Sequence, residues 1–231
     1  MKYLYFVSPF LLQLLIWIPT RVFLRLFCSL EIRGLHNLRS LNQAIFASNH
    51  TSELDPILVP ASLPLFSRFS PMFYTAAEDK NFKGSLRFGW RRYIYGGLFF
   101  KAWGAYPVAE GKKNYALALQ PHLQILRDGG SICIFPEGFL SKDGTLQQGK
   151  GGAVFLAGQT EVELVPVKIT GVFKASFREI ISRKRVVTVS FGKPLWRTDL
   201  HLHEEVVKNP SEHLEAYKEA TRILMEAIQN T

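Results

Sequence analysis

The sequence predicts an α/β domain, with a mixed, largely parallel sheet flanked by helices, preceded by an N-terminal membrane-associated helical segment. Two observations predict the domain: short apolar runs of strand length alternate with helical patterns, and no Ser/Gly/Pro-rich linker divides the chain. A third predicts the segment: residues Tyr3 to Pro19 are apolar apart from Ser8 and Gln13. With 231 residues and 47% hydrophobic content the chain can form one sizeable core. Residues 1–27 are read as the membrane segment and 28–231 as the domain.

The apolar run is short for a membrane span, and Pro9 and Pro19 are expected to bend or break a helix there. No small-residue cleavage pattern follows it. A re-entrant or in-plane anchor is expected, with Trp17, Arg21 and Arg25 at the headgroup level. Cys28 to Arg33 and Ala44 to Ser48 read as strands joined by a turn over Gly34 to Leu41. Pro56 to Phe69 reads as a helix open to breaks at Pro60 and Pro64, and Met72 to Ala77 as a strand. The region from Phe82 to Trp103 mixes Arg87, Arg91, Arg92 and Lys101 with many aromatics, which suits a surface meeting lipid headgroups or another polyanion.

Further along, Ala105 to Val108 reads as a strand and Asn114 to Arg127 as one helix closed by Gly129 and Gly130. Ser131 to Phe135 is a strand stopped at Pro136. A polar loop over Ser141 to Gly152 leads into a helix over Ala153 to Gly158. Glu163 to Ile169 and Val186 to Phe191 complete the strands, with Arg183-Lys184-Arg185 as a basic turn, and Pro210 to Ile228 is a terminal amphipathic helix opening on Ser211.

The net charge of +9 implies an anionic partner: nucleic acid, a membrane surface or a charged substrate. No helix-turn-helix, zinc-finger or RNA-binding pattern accompanies it, so nucleic acid is not expected. Cys28 and Cys133 belong to no C-x-x-C pattern, which argues against a disulfide framework or zinc and for a reducing, cytoplasmic face.

The chemistry centres on Asn49-His50-Thr51-Ser52-Glu53-Leu54-Asp55-Pro56, between a strand and a helix. On a continuous helix His50 and Asp55 would face about 140° apart. Only the bend can bring them together. The carboxylate then orients one ring nitrogen and leaves the other to take a proton. Asp55 alone is also an ordinary helix-start residue before proline. Phe135-Pro136-Glu137-Gly138 ends a buried strand, where open α/β sheets place ligand sites, and delivers Glu137 to the same sheet edge. No G-x-S-x-G nucleophile elbow occurs.

The order of N-H-x-x-x-x-D at 49–55, Gly104 to Val108, Phe135-Pro136-Glu137-Gly138, Ser141-Lys142-Asp143-Gly144, Lys150-Gly151-Gly152 and Val165-Pro166-Val167 resembles the phospholipid/glycerol acyltransferases that include the lysophosphatidic acid acyltransferases. The resemblance covers roughly residues 30 to 195. It implies acyl transfer from acyl-CoA or acyl-carrier protein to a hydroxyl of a lysolipid or glycerol-lipid acceptor at a membrane surface, without a cofactor or metal. It implies His50 as general base, Asp55 as its orienting partner, Glu137 and Gly138 lining the acceptor site, and Val165 and Pro166 in the acyl pocket.

At two places the chain departs from the family pattern. Glu110 and Leu140 stand where arginines that hold an acceptor phosphate are expected. Lys112, Lys113, Lys142 or Lys150 can compensate, but the simpler expectation is an acceptor without a terminal phosphate. The rival readings are a metal-dependent hydrolase using His50, Asp55 and Glu137 as ligands, and a catalytically silent lipid-binding module.

Overall fold

The computed structural model describes residues 4–78, 97–109, 114–210 and 212–231. Among the described residues seven strands form one sheet: β1 (Ser29–Arg33), β2 (Ile45–Ser48), β3 (Met72–Ala76), β4 (Ala105–Pro107), β5 (Ser131–Ile134), β6 (Leu164–Thr170) and β7 (Val186–Phe191). Their order across the sheet is β1-β7-β6-β2-β5-β3-β4, with every pairing parallel except that of β6 with β7. The expected mixed, largely parallel sheet is therefore present.

The helices are α1 (Leu4–Phe27), α2 (Asp55–Ser62), α3 (Gly97–Trp103), α4 (Tyr115–Ala118), α5 (Gln120–Arg127), α6 (Gly152–Thr160), α7 (Phe177–Ile181), α8 (Glu204–Lys208) and α9 (Leu214–Asn230). One apolar cluster, with Phe46, Leu58, Val165 and Phe191, fills one face of the sheet. Another, with Ile45, Leu123, Phe155 and Leu224, fills the other. Alternate residues of β2 contribute to the two clusters, as the two-residue period of a strand requires.

Several expected boundaries move. The helix expected over Asn114 to Arg127 is two helices, because Pro121 has no N–H to continue the first and sits instead in the opening turn of the second. The helix after the central motif runs through Pro60, where a break was expected, and stops at Ser62, before Pro64. The terminal helix begins at Leu214, and Ser211 lies outside the described residues.

The largest departure is α1. It runs without a break through Pro9 and Pro19 for 24 residues, about 36 Å. Pro9 is buried, and its Cβ lies 3.2 Å from the place a Cβ would occupy on Gly104, so the ring is seated against the domain. Gln13 ties the middle of the helix down: its amide donates to the carbonyls of Met72 (2.7 Å) and Trp103 (2.9 Å) and accepts from the Met72 N–H (2.9 Å). The Tyr5 hydroxyl donates to Asp128 at 2.7 Å, and Leu24 is buried in the core. The Arg21 guanidinium donates to the Ala61 carbonyl, where a headgroup contact was expected.

The opposite side of α1 carries Val7, Leu11, Leu15, Ile18, Val22 and Leu26, each 50 to 69% exposed. Their spacing of three and four residues makes a single stripe. By length and composition the helix can cross a membrane. Arg87, Arg91 and Arg92 lie outside the described residues, as do Lys112, Lys113 and Glu110.

Candidate active site

The site forms where β2 leaves the sheet. At Ser48 the strand still pairs with Val167 of β6. The next residue, Asn49, pairs through its side chain: its amide donates to the Ile169 carbonyl at 2.9 Å and accepts the Ile169 N–H at 2.7 Å. A side chain here does the work of a further strand residue and frees the backbone to turn at His50.

Asp55, fully buried in the first turn of α2, closes that turn. Its Oδ2 accepts the backbone N–H groups of Thr51 (2.7 Å) and Ser52 (2.8 Å) and lies 3.1 Å from His50 Nδ1. Since an ionised carboxylate can only accept, the Nδ1 proton faces Asp55 and Nε2 keeps its lone pair. The His50 ring stacks on Phe135 with centroids 4.1 Å apart, and its side chain is 20% exposed. It is thus held on one face and at one nitrogen while remaining reachable.

Glu137 is placed differently from the expected acceptor lining. It is fully buried, Oε1 accepts the His50 N–H at 2.7 Å, and Oε2 accepts the Gln147 N–H at 2.8 Å. Burial raises its pKa, opposed by these two donors and by nearby His50, while Asp55 adds to the rise. Both oxygens hold main-chain amides, the side chain is fully buried, and among the described residues no group of three or more His, Cys, Asp or Glu could hold a metal ion. The other side of the His50 peptide is fixed as well, since its carbonyl accepts the Ser141 N–H at 2.7 Å.

Gly138 and Lys150 come together beside this clamp. Gly138 has φ of 74°, and a Cβ there would lie 2.6 Å from Lys150 Nζ, so the lysine chain crosses the space a side chain would fill. The Lys150 ammonium lies 5.8 Å from the ring centroid of half-exposed Phe139. Val165 and Pro166 lie within the sheet. They are buried inside β6, opposite Phe46 and Ala47 of β2, and brace the strand that carries His50. Lys112 lies outside the described residues.

Two hollows open on the described surface, one of them flanking His50 through Asn49 and Thr51. An apolar groove between α1 and α2 is lined by Phe10, Leu14, Trp17, Ile57 and Phe66. A more polar hollow is lined by Asn49, Thr51, Lys168 and Thr170. Sequence reasoning gave no role to Asn49, Phe135 or Gln147. Asn49 was visible beside His50, but Gln147 acts only through its main chain and leaves no sequence signal.

The sequence pattern of the family described as Acyltransferase matches residues 29–170, which contain His50, Asp55, Glu137 and Lys150. The chain belongs to the acyltransferase family. It is 29% identical over 150 residues to the chloroplastic 1-acyl-sn-glycerol-3-phosphate acyltransferase LPAT1 of Arabidopsis thaliana, covering 64% of this chain and 38% of that protein. It is 28% identical over 187 residues to the chloroplastic 1-acyl-sn-glycerol-3-phosphate acyltransferase BAT2 of Brassica napus, covering 79% of this chain and 50% of the relative. The aligned regions thus span half or less of these curated relatives. The crystal structure of the 1-acyl-sn-glycerophosphate (LPA) acyltransferase PlsC from Thermotoga maritima has the same fold, with a TM-score of 0.56 at 19% identity over 91% of this chain and 75% of that one.

Proposed function

We propose that this acyltransferase-family chain is a membrane-associated O-acyltransferase that moves a fatty acyl group from a thioester, acyl-CoA or acyl-carrier protein, to a hydroxyl of a lysolipid. The 3.1 Å contact of His50 Nδ1 with Asp55 carries this reading. Nε2 takes the proton of the acceptor hydroxyl as its oxygen attacks the thioester carbonyl. The tetrahedral intermediate collapses with cleavage of the carbon–sulfur bond, and the imidazolium returns the proton to the leaving thiolate. The products are an ester and a thiol, with His50 neutral again. Asp55 stabilises the imidazolium and holds the ring. No covalent acyl-enzyme is required.

The apolar groove is suited to an acyl chain. Ile57, two residues beyond Asp55, is part of its lining, and Phe66 at its rim is 70% exposed. The apolar stripe on α1 supports an anchor lying in one leaflet, since the other side of the helix is hydrogen-bonded to the domain. The free thiols Cys28 and Cys133 accord with the cytoplasmic side.

Beside Gly138 the acceptor headgroup meets an aromatic ring and one amine, with Leu140 where a phosphate-holding arginine was expected. This favours a lysolipid without a terminal phosphate. The names of the plant relatives, together with Lys150, favour lysophosphatidic acid as the competing acceptor. Incubating the purified chain with an acyl thioester and a mixture of lysolipids, and following thiol release and the lipid product, tests the reaction. Absence of both would refute it.

A further inference from the structure

Arg183 lies in the turn between α7 and β7, in a left-handed conformation (φ 55°) that disfavours a non-glycine residue. Its guanidinium reaches back to the end of α1, donating to the carbonyls of Arg25 (3.1 Å) and Leu26 (2.5 Å). These are end-of-helix carbonyls lacking a partner within the helix, and a cation there also meets the negative end of the helix dipole. Nearby, β1 and β7 pair with Ser29 opposite Val186. The end of α1 and residues 177–186 therefore share one corner of the molecule.

Two kinds of side chain gather at that corner. Leu26, Phe27, Ile181 and Val186 are apolar and 36 to 58% exposed. Arg25, Arg178 and Lys184 are exposed cations, and no ion pair among the described residues engages them. Glu179 is paired with Arg185 at 3.1 Å and does not neutralise them. Val22 and Leu26 extend the α1 stripe into the corner, so the apolar surface is continuous with the anchor face.

We propose that this corner is a second membrane contact, selective for a negatively charged leaflet, in which the apolar side chains enter the interface while Arg25, Arg178 and Lys184 meet lipid phosphates. The proposal rests on the reading of α1 as an in-plane anchor. An acidic carrier protein offers the same charge complementarity, but the exposed apolar side chains continuous with α1 favour lipid.

The test uses the full chain on phosphatidylcholine vesicles with and without an equal part of phosphatidylglycerol, at low and high salt. The unaltered chain is expected to bind both, with tighter, salt-sensitive binding to the anionic vesicles. Each cation near such a surface strengthens binding about fivefold, so R25Q/R178Q/K184Q should bind anionic vesicles roughly 10²-fold more weakly and neutral ones unchanged. K184Q alone, with its main-chain bonds retained, should show the single fivefold step and serves if the triple variant melts early. Retention of the anionic preference by both variants would overturn the proposal. So would unchanged vesicle binding with activity lost only on acyl-carrier-protein thioesters, which would assign the corner to an acidic protein. Failure of the unaltered chain to bind neutral vesicles would instead defeat the anchor reading of α1.

Discussion

Glu137 Oε1 accepts the backbone N–H of His50 at 2.7 Å across 87 residues of sequence. Its other oxygen holds Gln147, and the side chain is fully buried. In Glu137→Gln, one end of the amide would face an N–H with another N–H. Hydrogen bonds to charged groups contribute about 1.5–3 kcal/mol, so the His50 turn should loosen. A fall in kcat of at least about tenfold with the acceptor KM unchanged is expected from steady-state kinetics. A raised KM at unchanged kcat would make Glu137 an acceptor ligand after all.

His50→Ala removes the proposed base while leaving Asp55 and Glu137 on main-chain amides and the residue-50 carbonyl on the Ser141 N–H. Acyl transfer should fall ~10²–10⁴-fold with the melting temperature nearly unchanged. Near-normal turnover by the purified variant would remove His50 from the chemistry.

His122 supplies a pH dependence unrelated to catalysis. Fully buried in α5, its Nε2 lies 3.3 Å from the Tyr74 carbonyl, and burial pushes its pKa from 6.5 down to about 4. The unfolded chain therefore binds this proton more readily than the folded one. Its contribution to stability is present above pH 6.5 and is lost as pH falls toward 4, by roughly 3 kcal/mol in all. Urea midpoints measured between pH 7.5 and 4 should fall less steeply for His122→Gln. Parallel curves would exclude His122 as the source.

The two faces of α1 should separate in mutation. Leu11→Gln, Leu15→Gln and Ile18→Gln together should reduce vesicle binding without lowering the melting temperature, since these side chains are exposed. Gln13→Leu should do the reverse. It leaves the Met72 N–H and two carbonyls without their partner, a loss of about 1–3 kcal/mol for each group that stays buried and unpaired.

The acceptor headgroup is tested by specificity constants measured with one acyl donor. A neutral or zwitterionic lysolipid is expected to exceed lysophosphatidic acid by at least about tenfold, the equivalent of one lost charge-assisted contact. Preference for lysophosphatidic acid would assign the phosphate to Lys150 or to lysines outside the described residues.

Strand cores and the His50–Asp55 pair were legible because their signals are local: a two-residue apolar period, and a bend that must occur between a strand and a proline-started helix. The role of Glu137 was not, because it depends on an amide 87 residues away that any residue but proline could provide. Val165 and Pro166 showed the same limit, since strand residues read alike whether they line a pocket or brace a neighbouring strand. The five-residue helices Phe177–Ile181 and Glu204–Lys208 are too short to establish a period. The prolines of α1 were misleading because the seat of Pro9 against Gly104 and the bonds of Gln13 are tertiary and have no sequence signature.

Those Gln13 bonds join α1 to both Met72 and Trp103, so on the proposed in-plane reading the anchor would be a wall of the domain where a tethered anchor would act as a leash. A leashed domain can tumble above a bilayer and meet hydroxyls at any height. With α1 lying in the leaflet as proposed, this one could not. Its imidazole would hold a fixed elevation relative to the lipid, and two acceptors with the same headgroup could be told apart by how deeply each hydroxyl sits in the interface.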